Sequence, residues 1–151
     1  GVLLMNLDKI RQAHLADRFL KLMAEYHFDS VAPDQDYLNS MCYGKIEYLD
    51  SCWDAMPNRN KPEIENPKII HYNLFDKPWC YDDIQYQDYF WEYAKQSVYY
   101  DKIKAYKAAY TDKQKEDDHA HLLDLFRRAG TNADTEVTFR KVLESGEKVR
   151  L

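Results

Sequence analysis

The first seven residues, Gly1-Val2-Leu3-Leu4-Met5-Asn6-Leu7, form a nearly continuous apolar run. Such a run reads as a strand buried on both faces. At Asp8 the pattern changes: Ile10, His14, Phe19, Leu22, Met23 and Tyr26 recur at roughly helical spacing, and Asp8 can cap the helix they define. Residues 45–49 alternate as a strand, and residues 68–72 form a short β-branched strand ending near His71. Strand, helix and further strands predict an α/β organisation. A buried strand at the first residue is unusual, because chain ends are normally polar and frayed. The expectation is a portion of a larger protein that continues upstream of Gly1.

Between these elements the punctuation is clear. Pro33 suits the first turn of a helix over 34–43, closed by Gly44, with Asp34 and Asp36 near the positive end of its dipole. Residues 50–67 read as a loop, broken by Pro57, Pro62 and Pro67. Asp82 or Asp83 can cap an aromatic helix reaching about Gln96, and a further helix is expected over 101–110. Thr111 with Gln114 forms a capping-box pattern opening a helix that stops at Gly130, and a last helix runs over 134–144.

Composition narrows the function classes. With 151 residues, 45% of them hydrophobic, the chain can bury a core. A mean hydropathy of -0.74 and no apolar run near the 18 or so residues of a membrane span lead us to expect a soluble chain in the cytoplasm. Cys42, Cys52 and Cys80 are odd in number and lack C-x-x-C spacing, so reduced thiols are expected. The net charge of -5 argues against nucleic-acid binding, which needs a basic footprint. Charge is unevenly spread: residues 1–98 hold 10 Lys and Arg against 16 Asp and Glu, a balance of -6, while 99–151 hold 11 against 10, a balance of +1. A domain boundary is therefore placed between 98 and 99, the second part being a helical extension.

Three groups of residues carry possible chemistry. His71 at a strand end, with Lys77 beside Pro78 and Trp79, can point an imidazole and an ammonium into one cleft, which suits a metal ion and a phosphate. A lone histidine at a strand end is more often structural. The run Pro33-Asp34-Gln35-Asp36 places two carboxylates in one helical turn, an Asp-x-Asp that could hold a divalent ion, although helix capping accounts for both acids. Tyr99, Ile103, Tyr106 and Tyr110 beside Lys102, Lys104 and Lys107 could rest on an anionic membrane, or be a packing face with solvated lysines. His119 and His121, two apart in a helix, make a poor metal pair. A helix-turn-helix over 119–144 offers only Arg140 and Lys141 as phosphate contacts, against Asp134, Glu136 and Glu144.

The order and spacing of Gly1 to Asp8, Pro33 to Asn39, Ile69-Ile70-His71-Tyr72 and Lys77-Pro78-Trp79 resembles the bacterial family 8 glycosyltransferases, retaining enzymes of the lipopolysaccharide galactosyl- and glucosyltransferase type related to glycogenin. The resemblance covers about residues 1–98. It implies a Rossmann-like GT-A fold, of which this chain would be the C-terminal part, followed by a helical appendage. It also implies a UDP-glucose or UDP-galactose donor, Mn²⁺ and a saccharide acceptor. In the family pattern H-x-x-G-x-x-K-P-W, His71 would ligate the metal, and Lys77 and Trp79 would lie at the diphosphate. Leu74 stands where the pattern has glycine, so either the loop shifts or donor binding alters. Asp34 would meet donor hydroxyls and Gln35 would be nearest the anomeric carbon, with front-face and double-displacement routes both open. The family's Asp-x-Asp would lie upstream of Gly1, so the chain alone is expected to hold Mn²⁺ weakly and to be inactive. The reading from another class is a non-catalytic module whose aromatic helices bind a membrane surface or a partner protein.

Overall fold

A computed structural model describes residues 1–135 and 137–146. The architecture is helical: α1 (Leu7–Gln12), α2 (Leu15–Tyr26), α3 (Pro33–Met41), α4 (Gln87–Ala94), α5 (Tyr100–Ala108), α6 (Asp112–Asp134) and α7 (Phe139–Glu144), with one 3-10 turn at Ser51–Asp54. The helix expected over 134–144 crosses Glu136, which lies outside the described residues, as do 147–151 of the expected extension.

The three expected strands are not found among the described residues, which form helices and turns, so the α/β character is not shown there. A strand must pair its backbone N–H and C=O groups with a neighbour. Leu3 and Leu4 have no such neighbour and are 63% and 90% exposed. Residues 45–49 likewise pair with no strand among the described residues. Only 68–72 pairs at all, through a single parallel bridge between Ala55 and Ile70.

The helices follow the sequence with local shifts. Asn6, rather than Asp8, caps α1, its side chain accepting from Lys9 N at 3.0 Å. The single helix expected to reach Tyr26 is broken at His14, which takes φ 52 between α1 and α2. Pro33 occupies the first turn of α3, and Gly44 beyond it has φ +79, a conformation that a residue without Cβ adopts at no steric cost. The capping box at α6 forms reciprocally: Gln114 Oε1 accepts from Thr111 N at 2.9 Å, and Thr111 Oγ1 from Gln114 N at 3.3 Å. With that start secured, α6 runs through Gly130 to Asp134 instead of stopping there.

The chain divides into two units. One, here the His71 unit, comprises Gly1–Val2 and Tyr48–Leu122; the other, the Tyr37 unit, comprises Leu3–Glu47 and Leu123–Leu151. The grouping runs across the charge shift near Tyr99. In the Tyr37 unit the core is Leu22, Phe28, Tyr37 and Met41, with Leu15, Phe19, Tyr26 and α7 residues Phe139, Val142 and Leu143 packed on it. Phe139 stacks on Phe28 with centroids 3.9 Å apart and meets Tyr37 edge-on at 4.9 Å, which joins α7 to α2 and α3. In the His71 unit, Ala55, Pro78, Ile84, Tyr86 and Ala94 are buried, and Trp79 packs on Phe90 at 4.9 Å.

Candidate functional site

The position of His71 follows from a short backbone lock. Asp50 Oδ1 accepts from Cys52 N at 2.9 Å and so caps the 3-10 turn Ser51–Asp54. Just beyond that turn, Ala55 N donates to Ile69 O and His71 N donates to Ala55 O, both at 2.9 Å. This pairing sets Asp54 beside His71, with Oδ1 3.1 Å from the ring Nδ1. Gly1 lies against the same carboxylate, since a Cβ built on it would stand 3.6 Å from Asp54 Oδ2. Both side chains are about one-third exposed, 33% for His71 and 29% for Asp54. In the tautomer that donates from Nδ1, the carboxylate fixes the ring plane and leaves Nε2 as a lone-pair donor, the usual second partner of a metal-binding imidazole. The donor chemistry at His71 therefore fits one ligand of a divalent metal. It does not fit a complete site, because no cluster of three or more metal-ligating side chains occurs among the described residues.

Three residues after His71, the chain turns. Leu74 has φ 43 and its side chain is half exposed. The backbone thus keeps the left-handed conformation that glycine adopts freely, and leucine holds it at a steric cost of about 1–2 kcal/mol. Where the family pattern has glycine, Leu74 adds a half-exposed isobutyl group. Phe75 O then accepts from Lys77 N at 2.8 Å, and Lys77 O accepts from Cys80 N at 2.9 Å and Tyr81 N at 3.0 Å. The Lys77 ammonium stands 5.3 Å from the Trp79 ring centroid and forms no ion pair among the described residues. Trp79 also walls an open, mostly apolar pocket of 510 Å³ with Phe90, Tyr99, Lys102, Ile103 and Tyr106. Burial pushes the Tyr72 hydroxyl, which donates to Tyr86 O at 2.5 Å, up to about 12.

Asp34 and Gln35 belong to the Tyr37 unit. Both are exposed in the first turn of α3 and make no side-chain hydrogen bond among the described residues. Their neighbour Asp36 is structurally committed: its Oδ2 accepts from Ser30 Oγ and, at 3.3 Å, from Ala32 N. The Asp-x-Asp reading of this turn therefore loses one of its two carboxylates to capping.

Two residues escaped sequence reasoning. Asp54 lies in a stretch read as loop, and no periodicity signals a bridge between residues 15 apart in sequence. Lys107 is expected from sequence to face a membrane or solvent, whereas its ammonium turns inward, onto Pro78 O at 2.8 Å.

The comparisons with known proteins point to one enzyme class, the glycosyltransferases. The sequence pattern of Glycosyl transferase family 8 matches residues 1–83, more than half of the chain, and the chain belongs to that family. A curated protein of Haemophilus influenzae, provisionally named a glycosyltransferase, is 28% identical over 87 residues. That alignment covers 52% of this chain and 26% of the relative, so the chain spans about a quarter of the length of the protein it matches. No solved structure matches the chain significantly. Membership implies a nucleotide-sugar donor and a saccharide acceptor for the family. No helix among the described residues is long and apolar enough to cross a membrane.

Proposed function

We propose that this chain contributes the metal-ligating imidazole and the phosphate-binding ammonium of a retaining transferase that moves glucose or galactose from a UDP-sugar to a surface glycan or other saccharide. The observation that carries the reading is the Asp54 carboxylate on His71 Nδ1, 3.1 Å away. It supports the reading because it fixes the ring plane and leaves Nε2 available to a metal. When bound, Mn²⁺ would offset charge on the departing UDP, with His71 as one of its ligands. Lys77 acts on the same charge. Its ammonium has no carboxylate partner among the described residues, so an arriving diphosphate meets a cation that it need not win from another anion.

Asp34 and Gln35 are proposed to contact the donor sugar. Their support is exposure and freedom from bonding at the positive end of α3. Asp34 accepts from sugar hydroxyls, and the amide of Gln35, a poor nucleophile, can still stabilise charge at the anomeric carbon. The site is proposed to work in the cytoplasm. The exposed Tyr99 and Tyr106, together with Lys102, would give peripheral contact with the inner membrane face.

The test is hexose transfer from UDP-glucose or UDP-galactose by the whole protein with Mn²⁺. His71→Ala and Lys77→Met should each lower kcat/KM at least 100-fold. Full activity in His71→Ala would overturn the assignment. The 151 residues alone should turn over no donor, and calorimetry should give a Kd for UDP with Mn²⁺ weaker than about 1 mM. Sub-millimolar binding by these residues would defeat the view that they hold only part of the site.

A further inference from the structure

Lys107, in the last turn of α5, is bound to the turn that carries Lys77. Its Nζ donates to Pro78 O at 2.8 Å and to Tyr81 O at 2.5 Å, and pairs with Asp82 Oδ1 at 2.9 Å. An ammonium has three hydrogens, and these three acceptors use them all. The same Nζ stands 5.5 Å from the Trp91 ring centroid, and only 21% of the side chain is exposed. A second fastening holds Tyr81 itself, where Asp118 Oδ2 on α6 accepts from the hydroxyls of Tyr81 at 2.7 Å and Tyr110 at 2.5 Å.

The two lysines therefore differ in kind. Lys107 has its charge met by Asp82 and its hydrogens met by two carbonyls, which leaves nothing for a ligand. Lys77 stands over the Trp79 ring and has no carboxylate partner among the described residues. Resting on the reading of Lys77 given above, we propose that Lys107 is a positioning residue. It fixes the 78–82 backbone so that the Lys77 ammonium is held over Trp79 and presented to the diphosphate. A turn ordered before the anion arrives adds no ordering cost to binding. Residues 99–122, beyond the family match, acquire a role in this way: α5 and the start of α6 brace the phosphate-binding turn from behind.

The test compares wild type, Lys77→Met, Lys107→Met and the double variant in the 151-residue chain, by hydrogen exchange and by NMR titration with UDP and Mn²⁺. In Lys107→Met the amides of Cys80 and Tyr81 should exchange at least tenfold faster, while α2 and α3 keep wild-type protection. UDP affinity should fall several-fold, to the level of Lys77→Met, and the double variant should fall no further, because both changes remove one contribution. Lys107→Arg should restore part of the protection and of the affinity. Unchanged exchange at Cys80 and Tyr81 overturns the proposal. So does a fall in UDP affinity with Lys77→Met but not with Lys107→Met, which leaves the phosphate reading of Lys77 intact. A loosened turn with UDP binding indifferent to both lysines, or no UDP binding by wild type, overturns that phosphate reading and the presenting role with it. Should Lys107→Met lose its helical circular dichroism, Lys107→Gln takes its place with smaller changes in the same direction.

Discussion

In the Tyr37 unit the core contacts are between apolar and aromatic side chains, with Met41 fully buried and Phe28 stacked on Phe139. In the His71 unit the loops between Ala55 and Tyr86 are tethered instead by polar side chains that reach backbone atoms far along the chain. Gln85 accepts from Asn58 N and donates to Lys61 O, Glu63 accepts from Tyr86 N, and the Tyr86 hydroxyl accepts from Ile64 N at 2.7 Å. Apolar contacts are tolerant of small shifts, whereas a tether fixes one geometry. A loop held by tethers can therefore keep His71, Leu74 and Lys77 in defined positions without regular secondary structure.

That contrast is open to test. The largest effect is expected from Met41→Ala, which empties a fully buried position and should cost about 2–5 kcal/mol in urea unfolding, with hydrogen exchange rising in α2 and α3. A loss below about 1 kcal/mol would mean that this core is not close-packed.

Asp118→Ala removes the shared acceptor of the Tyr81 and Tyr110 hydroxyls and should cost about 1–3 kcal/mol. Asp118→Asn, which keeps an acceptor oxygen, should cost less. Equal losses would assign the effect to charge rather than to the hydrogen bonds.

Alkaline pH should act chiefly on the His71 unit. Burial first and the Asp118 contact second raise the Tyr81 hydroxyl, the Asp118 contact first and burial second raise Tyr110, and burial raises Tyr72 to about 12. A phenol whose folded pKa is raised stays protonated longer in the native state. Its contribution is intact below the unfolded value of about 10 and is lost as pH climbs through the folded one. Tyrosinate absorbance should show a late group of tyrosines that titrates together with unfolding between about pH 10 and 12. Titration of every tyrosine near 10 with the fold retained would break the account of these tethers.

The smallest effect belongs to Leu74. Leu74→Gly should stabilise the chain by up to about 1 kcal/mol, because glycine takes φ 43 without a Cβ clash, and Leu74→Ala should give no gain.

The legibility of the two units differs for the same reason. The helices of the Tyr37 unit repeat apolar residues at local spacing, and Pro33 and Gly44 mark the ends of α3 by chemistry that acts over a few residues, as the Thr111–Gln114 box does for α6 in the His71 unit. Sequence reading found all of these. It read residues 1–7 as a strand because apolarity alone does not say whether a neighbouring strand is present to take the hydrogen bonds. In the His71 unit, His71 and Lys77 were visible from their spacing and their resemblance to a family pattern. Asp54 and Lys107 were not, since each meets its partner across a gap of 17 residues or more with no period to announce it.

The central claim is that His71, aligned by Asp54, offers one ligand of a metal and nucleotide site. The chain contains five histidines, at positions 14, 27, 71, 119 and 121, so ¹H–¹⁵N NMR of the rings under Mn²⁺ titration with UDP tests it residue by residue. Paramagnetic broadening should strike the His71 ring first and should be weakened in Asp54→Asn. Broadening of the other four histidines while the His71 signals stay sharp would contradict the account.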